Sequence, residues 1–203
     1  MIAIMDYGIG NLRSVQKAFE KIGADAQLVN TPEGLAGARA LVLPGVGAFG
    51  DCVDHFRAAG FAEPLLESVN AGVPLLGICV GLQLLFDESE EMGHHAGLGL
   101  LPGRVRRFAG DLKVPQIGWN QLVWQRENPL SAGVPNNSYT YFVHSYYAEP
   151  ANPDHILATT EYGIEYASIV GKDNILATQF HPEKSQDVGL QILSNFVEWV
   201  NRQ

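Results

Sequence analysis

The sequence is poor in cysteine, in basic residues and in long apolar runs. Only Cys52 and Cys79 occur in 203 residues, too few for a disulfide framework and usual for a reducing compartment. The 13 Lys and Arg against 22 Asp and Glu give a formal net charge of -9, which argues against a nucleic-acid partner because that affinity needs clustered cations. No apolar run is long enough to cross a membrane, and Asp6 comes too early for a signal peptide. We therefore expect a cytoplasmic protein.

Size and composition favour one domain over residues 1–203. A hydrophobic content of 46% over this length can fill one substantial core. We find no internal repeat, low-complexity tract or linker that would divide the chain.

The first half of the chain alternates apolar runs with amphipathic stretches, which is typical of βα units in a parallel sheet. Periodicity and turn signals predict strands at 2–5, 24–29, 40–43 and 73–78, and helices at 11–22, 61–70 and 82–86. The Gly-rich segment 44–50 is predicted to be a loop throughout, and 88–97 a polar surface loop.

The second half is richer in strand-like alternation. Candidate strands lie near residues 105, 120, 143, 157 and 177, and an amphipathic helix is predicted at 189–200. The whole pattern indicates an α/β protein with a mixed, largely parallel sheet flanked by helices.

The strongest chemical signal is the pentapeptide Gly77-Ile78-Cys79-Val80-Gly81, between a predicted strand and a predicted helix. This is the spacing of a nucleophile elbow with Cys in place of Ser. At the start of a helix, the positive end of the dipole stabilises a thiolate, and the N–H of Val80 can face an oxyanion. A buried structural cysteine is the alternative. Cys52 lacks the flanking glycines, so we assign it no chemical role.

A candidate base follows the last predicted strand as His181-Pro182-Glu183. A thiol nucleophile needs a group that takes and returns a proton, and imidazole titrates near ambient pH. The Glu183 carboxylate would orient the ring and stabilise its cation. Alone, such a histidine is more often a satisfied residue at a strand end; beside an elbow, it becomes a candidate base.

The segment Pro44-Gly45-Val46-Gly47 is a candidate for a second oxyanion donor. Its glycines leave backbone N–H groups free to approach a ligand. Taken alone, it reads as an ordinary tight turn.

Together, the segments GICVGLQLLF, HPEKS and PGVGAFG resemble the class I, triad-type glutamine amidotransferases over essentially the whole chain. Four further segments, starting at positions 6, 97, 113 and 141, are most similar to the glutaminase subunits of imidazole glycerol phosphate synthases. The resemblance implies a flavodoxin-like fold, hydrolysis of L-glutamine, no metal or cofactor, and a cyclase subunit as partner. That cyclase would use the ammonia to form imidazole glycerol phosphate and AICAR in histidine biosynthesis.

The resemblance also implies roles for individual residues. Cys79 would attack the amide, His181 would shuttle the proton and Glu183 would orient His181. The implied substrate and oxyanion contacts are Gly45, Val46, Gly47, Val80, Gln83, Ser145 and Tyr146. The implied contacts with the cyclase are Asn11, Trp119, Asn120, Tyr141 and Lys184. Where many relatives have Leu after the cysteine, this chain has Val80, and we expect little effect because the backbone N–H does the work.

Other readings remain open at the level of the sequence. The partner could be another synthase, such as anthranilate synthase, or the chain could be a stand-alone γ-glutamyl thiol hydrolase or peptidase. A non-catalytic interaction module is the weakest alternative because Cys79, His181 and Glu183 are all present.

Overall fold

The computed structural model describes residues 1–203 and contains fourteen strands and five α-helices. The strands are β1 (Ile2–Met5), β2 (Ala26–Val29), β3 (Ala40–Gly45), β4 (Leu75–Cys79), β5 (Glu88–Ser89), β6 (His95–Ala96), β7 (Gly103–Arg107), β8 (Gln116–Gln121), β9 (Val123–Trp124), β10 (Tyr139–His144), β11 (Tyr146–Pro150), β12 (Ile156–Glu161), β13 (Glu165–Lys172) and β14 (Ile175–Thr178). The helices are α1 (Leu12–Lys21), α2 (Phe49–Ala58), α3 (Ala62–Asn70), α4 (Val80–Leu84) and α5 (Gln186–Asn201).

Eight strands form the central sheet in the order β2-β1-β3-β4-β14-β13-β12-β9. Neighbours from β2 to β14 are parallel, whereas those from β14 to β9 are antiparallel. This confirms the mixed α/β sheet. Strand β4 is buried at every residue because parallel strands are covered on both faces.

The carboxyl ends of β3, β4 and β14 meet at one edge of this sheet. Gly45 pairs with Cys79, and Ile78 pairs with Thr178. The segments that follow these strands therefore converge, as open α/β sheets generally place their sites.

Antiparallel strands form two smaller sheets in the second half of the chain. The first is a two-stranded ribbon of β8 and β10, and the second has the order β11-β7-β5-β6. In the ribbon, Tyr141 is opposite Trp119 and Val143 is opposite Ile117. Since side chains alternate along a strand, these four share one face.

One hydrophobic core of 52 buried residues joins the sheet to its helices. Helices α1 and α5 contact each other through the rings of Phe19 and Phe196, whose centroids are 6.5 Å apart. In α5, Ile192, Leu193, Phe196 and Val200 are buried at the spacing of one helical face. No helix is long and apolar enough to cross a membrane.

The prediction that 44–50 is entirely loop was wrong. Strand β3 extends to Gly45, and helix α2 begins at Phe49. Gly50 lies in this helix at a position where the His95 ring leaves no room for a side chain, because an ideal Cβ would be 2.6 Å from a ring atom. Because of these glycines, the sequence pattern did not predict helix α2. Its apolar face consists of four buried residues, Phe49, Cys52, Val53 and Phe56.

Two other differences are smaller. Strand β13 was not predicted, although its residues 166–171 are all buried. The predicted surface loop 88–97 contains the short antiparallel pair β5 and β6.

Candidate active site

An open cavity of about 540 Å³ lies at the edge where β3, β4 and β14 end. Its size is that of a pocket for a small molecule. Ten residues singled out in the sequence line it: Asn11, Val46, Gly47, Cys79, Val80, Gln83, Ser145, Tyr146, His181 and Lys184.

Cys79 occupies the turn between β4 and α4 in a left-handed backbone conformation, with φ 56° and ψ −111°. Such a conformation is costly for a residue with a side chain and is typical of functional sites. Gly77 and Gly81 make the turn possible. A Cβ on Gly77 would lie 3.0 Å from that of Ala177, and a Cβ on Gly81 would collide with the carbonyl oxygen of Leu43. The small residues of the elbow are therefore dictated by close approach of the backbone.

His181 and Glu183 lie on the turn that follows β14. His181 Nδ1 is 2.8 Å from Glu183 Oε1, and the two side chains are 3% and 1% exposed. The other ring nitrogen, Nε2, is buried and has no hydrogen bond within the chain. With Nδ1 committed to Glu183, Nε2 is the nitrogen available for proton transfer.

The two histidines of the cavity differ in charge. Burial alone would lower the pKa of His181, but interactions with Cys79 and Glu183 outweigh burial and raise the pKa to about 10. Burial lowers the pKa of His144 to about 4, and its Nδ1 donates to the Tyr146 carbonyl at 2.7 Å. At neutral pH, His181 is thus the imidazolium and His144 is neutral.

Val46 and Gly47 line the cavity beside Cys79, whereas Gly45 does not line it and pairs with Cys79 at the end of β3. A Cβ on Gly45 would lie 2.9 Å from the Tyr7 hydroxyl oxygen and 3.0 Å from the Gly81 nitrogen, while Gly47 has a φ of +88° that favours glycine. The N–H groups of Val46 and Gly47 donate no hydrogen bond within the chain. They are free donors at the site, as an oxyanion hole requires.

A chain of amides runs behind the nucleophile. Gln83 Nε2 donates to the Tyr146 carbonyl at 2.9 Å and to Gln179 Oε1 at 3.1 Å. Gln179 Nε2 in turn lies 3.9 Å from Cys79 Sγ. Both protons of the Gln83 amide are therefore used within the chain, and its oxygen is the part left to face the cavity.

Sequence reasoning missed Glu91, which lines the cavity from the segment between β5 and β6. Its Oε2 accepts a hydrogen bond from the Phe49 N–H at 2.7 Å, at the start of α2. Burial raises the pKa of this carboxyl. No local signal marks Glu91, because the contact joins residues 42 positions apart.

The predicted partner residues fall into two groups. Asn11 and Lys184 line the cavity itself. Trp119 and Tyr141 lie on one face of the β8–β10 ribbon, with ring centroids 5.9 Å apart. Asn120 belongs to the same strand as Trp119, but its side chain donates to the Glu161 carbonyl and accepts from the Gln121 N–H, both at 2.8 Å.

The ribbon exposes three large apolar side chains. Ile117, Trp119 and Tyr139 are 63%, 46% and 54% exposed. This exposed apolar face is a candidate interaction surface.

The geometry contains no group of three or more His, Cys, Asp or Glu placed to hold a metal ion. What it does contain is a thiol on an elbow, a paired histidine and free backbone donors around one cavity. This arrangement can perform acyl transfer through a thioester.

Comparison with proteins of similar sequence identifies the family of this chain. Residues 3–199 match the model of the family described as glutamine amidotransferase class-I. The imidazole glycerol phosphate synthase subunit HisH of Syntrophotalea carbinolica is 56% identical, over 97% of this chain and 98% of that protein. The subunit of the same name from Geobacter sulfurreducens is 52% identical, over 97% and 98%.

Solved structures share the fold at lower identity. A crystal structure of a glutamine amidotransferase superposes with a TM-score of 0.78 at 22% identity, covering 98% of both chains. The PurLQS structure from Thermotoga maritima gives a TM-score of 0.79 at 16% identity, again over 98% of both chains. With a family match over nearly its whole length, the chain belongs to the class-I glutamine amidotransferases.

Proposed function

We propose that residues 1–203 act as one domain, the glutaminase subunit of an imidazole glycerol phosphate synthase, and hydrolyse L-glutamine with Cys79, His181 and Glu183. The observation that carries the mechanism is the buried His181–Glu183 pair, whose His181 lines the same cavity as the strained Cys79. The two relatives at 52% and 56% identity supply the name of the synthase.

The first half-reaction forms a thioester. The Cys79 thiolate attacks the carbon of the side-chain amide, and the carbonyl π electrons move to oxygen. As the tetrahedral intermediate collapses, the C–N bond breaks and His181 Nε2 gives its proton to the leaving nitrogen, which departs as ammonia. The raised pKa of His181, about 10, keeps that proton in place at neutral pH.

The second half-reaction regenerates the enzyme. Neutral His181 takes a proton from water as the water oxygen attacks the thioester carbon. The C–S bond then breaks, releasing glutamate and restoring the thiolate and the imidazolium. Glu183 holds Nδ1 at 2.8 Å in both steps, which fixes the orientation of the ring.

The oxyanion is stabilised by backbone donors. The N–H of Val80, the first residue of α4, serves as one donor, and the free N–H groups of Val46 and Gly47 supply the second. One such donor is worth about a hundred- to a thousand-fold in rate.

The cavity also matches the charged end of glutamine. The Glu91 carboxylate suits the α-ammonium group, and the backbone of Ser145 and Tyr146 is available for the α-carboxylate. The Gln83 oxygen can accept from the substrate because its nitrogen is already committed.

The partner surface is the exposed face of the ribbon together with Lys184 and Asn11. Ammonia is a nucleophile only while unprotonated, so hydrolysis is useful when a cyclase lies against the site. We assign that role to the cyclase subunit of the same synthase, in the cytoplasm. Contact with Trp119 on the ribbon and with Lys184, which lines the cavity, would shift the Gly45–Val46 peptide into its active position.

The proposal is tested by glutamine turnover in three samples: the chain alone, the chain with a purified cyclase subunit, and the same complex with the cyclase's phosphoribosyl ligand. We expect slow hydrolysis alone and an acceleration of about a hundred- to a thousand-fold in the liganded complex. Equal rates alone and in the complex would instead support a free-standing thiol hydrolase. Stimulation by an anthranilate synthase subunit, and not by the cyclase, would reassign the partner.

A further inference from the structure

The Pro44–Gly47 segment is held by two side chains that do not line the cavity. The Tyr7 hydroxyl donates to the Pro44 carbonyl at 2.6 Å. The Cys52 thiol, in the first turn of α2, donates to the Val46 carbonyl at 3.2 Å. These contacts come from two separate parts of the chain and meet the same short segment.

Each contact also fixes a backbone N–H. A trans peptide is planar, and its C=O and N–H point in opposite directions. Anchoring the Pro44 carbonyl therefore fixes the Gly45 N–H, and anchoring the Val46 carbonyl fixes the Gly47 N–H on the side opposite Cys52. Gly47 lines the cavity with Cys79.

The Gly45–Val46 peptide, between the two anchored carbonyls, is not held by a side chain. Neither the Gly45 carbonyl nor the Val46 N–H takes part in a side-chain hydrogen bond, and the Val46 N–H has no backbone acceptor, although Gly45 still pairs with Cys79 at the end of β3. Glycine on one side of this peptide gives it wide rotational freedom. The segment thus has two fixed peptides and one that can turn.

Both anchoring groups keep their protons. Burial, with a smaller contribution from the neighbouring Cys52, raises the pKa of Tyr7 well above its ordinary value, and burial raises the pKa of Cys52 to about 11. The hydroxyl and the thiol therefore remain donors across the neutral range. The role of Cys52 is thus that of a hydrogen-bond donor, and its raised pKa makes it a poor nucleophile.

We propose that Tyr7 and Cys52 are positioning residues for glutamine hydrolysis: they clamp the peptides on either side of Gly45–Val46 and leave that single peptide as the hinge that completes the oxyanion hole. The inference rests on the proposed glutaminase function. Without the clamp, the donors would sample several orientations, and less of the stabilisation at the transition state would be preorganised.

The kinetic test compares Tyr7→Phe and Cys52→Ala with the wild type in the complex with the liganded cyclase. Each variant removes one donor and little else. We expect kcat to fall about tenfold, less than the loss of a whole oxyanion donor, with KM within about twofold because the donors act on the transition state. Cys52→Ser retains a donor and should recover most of the rate.

Control variants separate this effect from the general loss of a hydrogen bond between a side chain and a backbone carbonyl. Tyr162→Phe removes a tyrosine hydroxyl that donates to the Lys113 carbonyl at 2.7 Å, and Ser68→Ala removes a donor to the Pro64 carbonyl at 2.7 Å. Both should keep the wild-type kcat. Unchanged kcat in Tyr7→Phe and Cys52→Ala, a loss confined to KM, or equal impairment of Cys52→Ser and Cys52→Ala would each overturn the clamp.

A second readout does not depend on activity. NMR relaxation dispersion of the backbone amides should show new microsecond-to-millisecond exchange at Gly45 and Gly47 in Tyr7→Phe and Cys52→Ala, and none in Tyr162→Phe. Absence of new exchange in both clamp variants would overturn the proposal. If the wild-type complex hydrolyses no glutamine, the proposed function fails, while this measurement still decides the clamp.

Discussion

The two regions to which we assign functional roles are built from different kinds of sheet. Cys79 and His181 lie at the ends of parallel strands and are each 2% exposed. Trp119 and Tyr139 lie on an antiparallel ribbon and are 46% and 54% exposed. A parallel sheet is covered on both faces, whereas an antiparallel ribbon can bury one face and present the other.

In the proposed function, this difference separates the chemistry from the recognition of the partner. The buried strand ends fix the nucleophile and its base in one geometry, which is what a covalent step needs. The ribbon can contribute a contact surface without disturbing that geometry. A direct hydrogen bond joins the ribbon to the turn that carries the base: the His181 N–H donates to the Tyr141 carbonyl at 3.0 Å.

The largest expected effect is at the buried region. Cys79→Ala should lower glutamine hydrolysis by about 10⁴-fold or more, because the covalent route is lost. Binding to the cyclase, measured by calorimetry, should stay the same because the ribbon is untouched. Substantial residual turnover in a folded variant would contradict the assignment.

The second thiol of the chain, Cys52, is an internal control for this prediction. A glutamine-like electrophile should label Cys79 and spare Cys52, whose pKa is raised to about 11 by burial, so that it is almost entirely protonated below about pH 9. Peptide mass spectrometry identifies the labelled residue. Preferential labelling of Cys52 would count against the account.

The next largest effect concerns the base and its partner. His181→Ala should lose nearly all turnover, while Glu183→Gln should lose less because the ring keeps most of its orientation. Steady-state kinetics distinguishes the two, and the reverse order would mean that the roles are misassigned. Thermal unfolding must accompany the kinetics, since His181→Ala leaves the Glu183 carboxylate, 1% exposed, without its partner.

The smallest effect is expected on the ribbon. Trp119→Ala should weaken binding of the cyclase by about 1–3 kcal/mol, the range of an aromatic hot spot, and leave the turnover of the isolated chain unchanged. Ile164→Ala removes an exposed apolar side chain outside the ribbon and should not affect binding. Equal affinities for Trp119→Ala and wild type would place the interface elsewhere.

The triad residues could be singled out from the sequence because their signals are local. The elbow needs glycines two positions on either side of Cys79, and His181 and Glu183 are separated by a single proline. The central sheet could likewise be predicted, because its buried strands are continuous apolar runs.

The rest of the site depends on contacts that no local pattern encodes. Glu91 enters the cavity only because the β5–β6 pair folds over the start of α2. Cys52 was assigned no chemical role on spacing alone, and its bond to the Val46 carbonyl depends on how the segment before α2 turns back. Helix α2 was not predicted because Gly47 and Gly50 interrupt the apolar pattern formed by Phe49, Val53 and Phe56.

The central claim is a thioester on Cys79, and one measurement tests it directly. The chain, bound to its liganded cyclase, is mixed with glutamine, quenched with acid during turnover and analysed by peptide mass spectrometry. We predict a glutamyl adduct, glutamine less ammonia, on the peptide that contains Cys79, and its absence from Cys79→Ala. An adduct on the Cys52 peptide would contradict the account. So would glutamine turnover without any adduct in the quenched samples, including those of a variant in which deacylation is slowed.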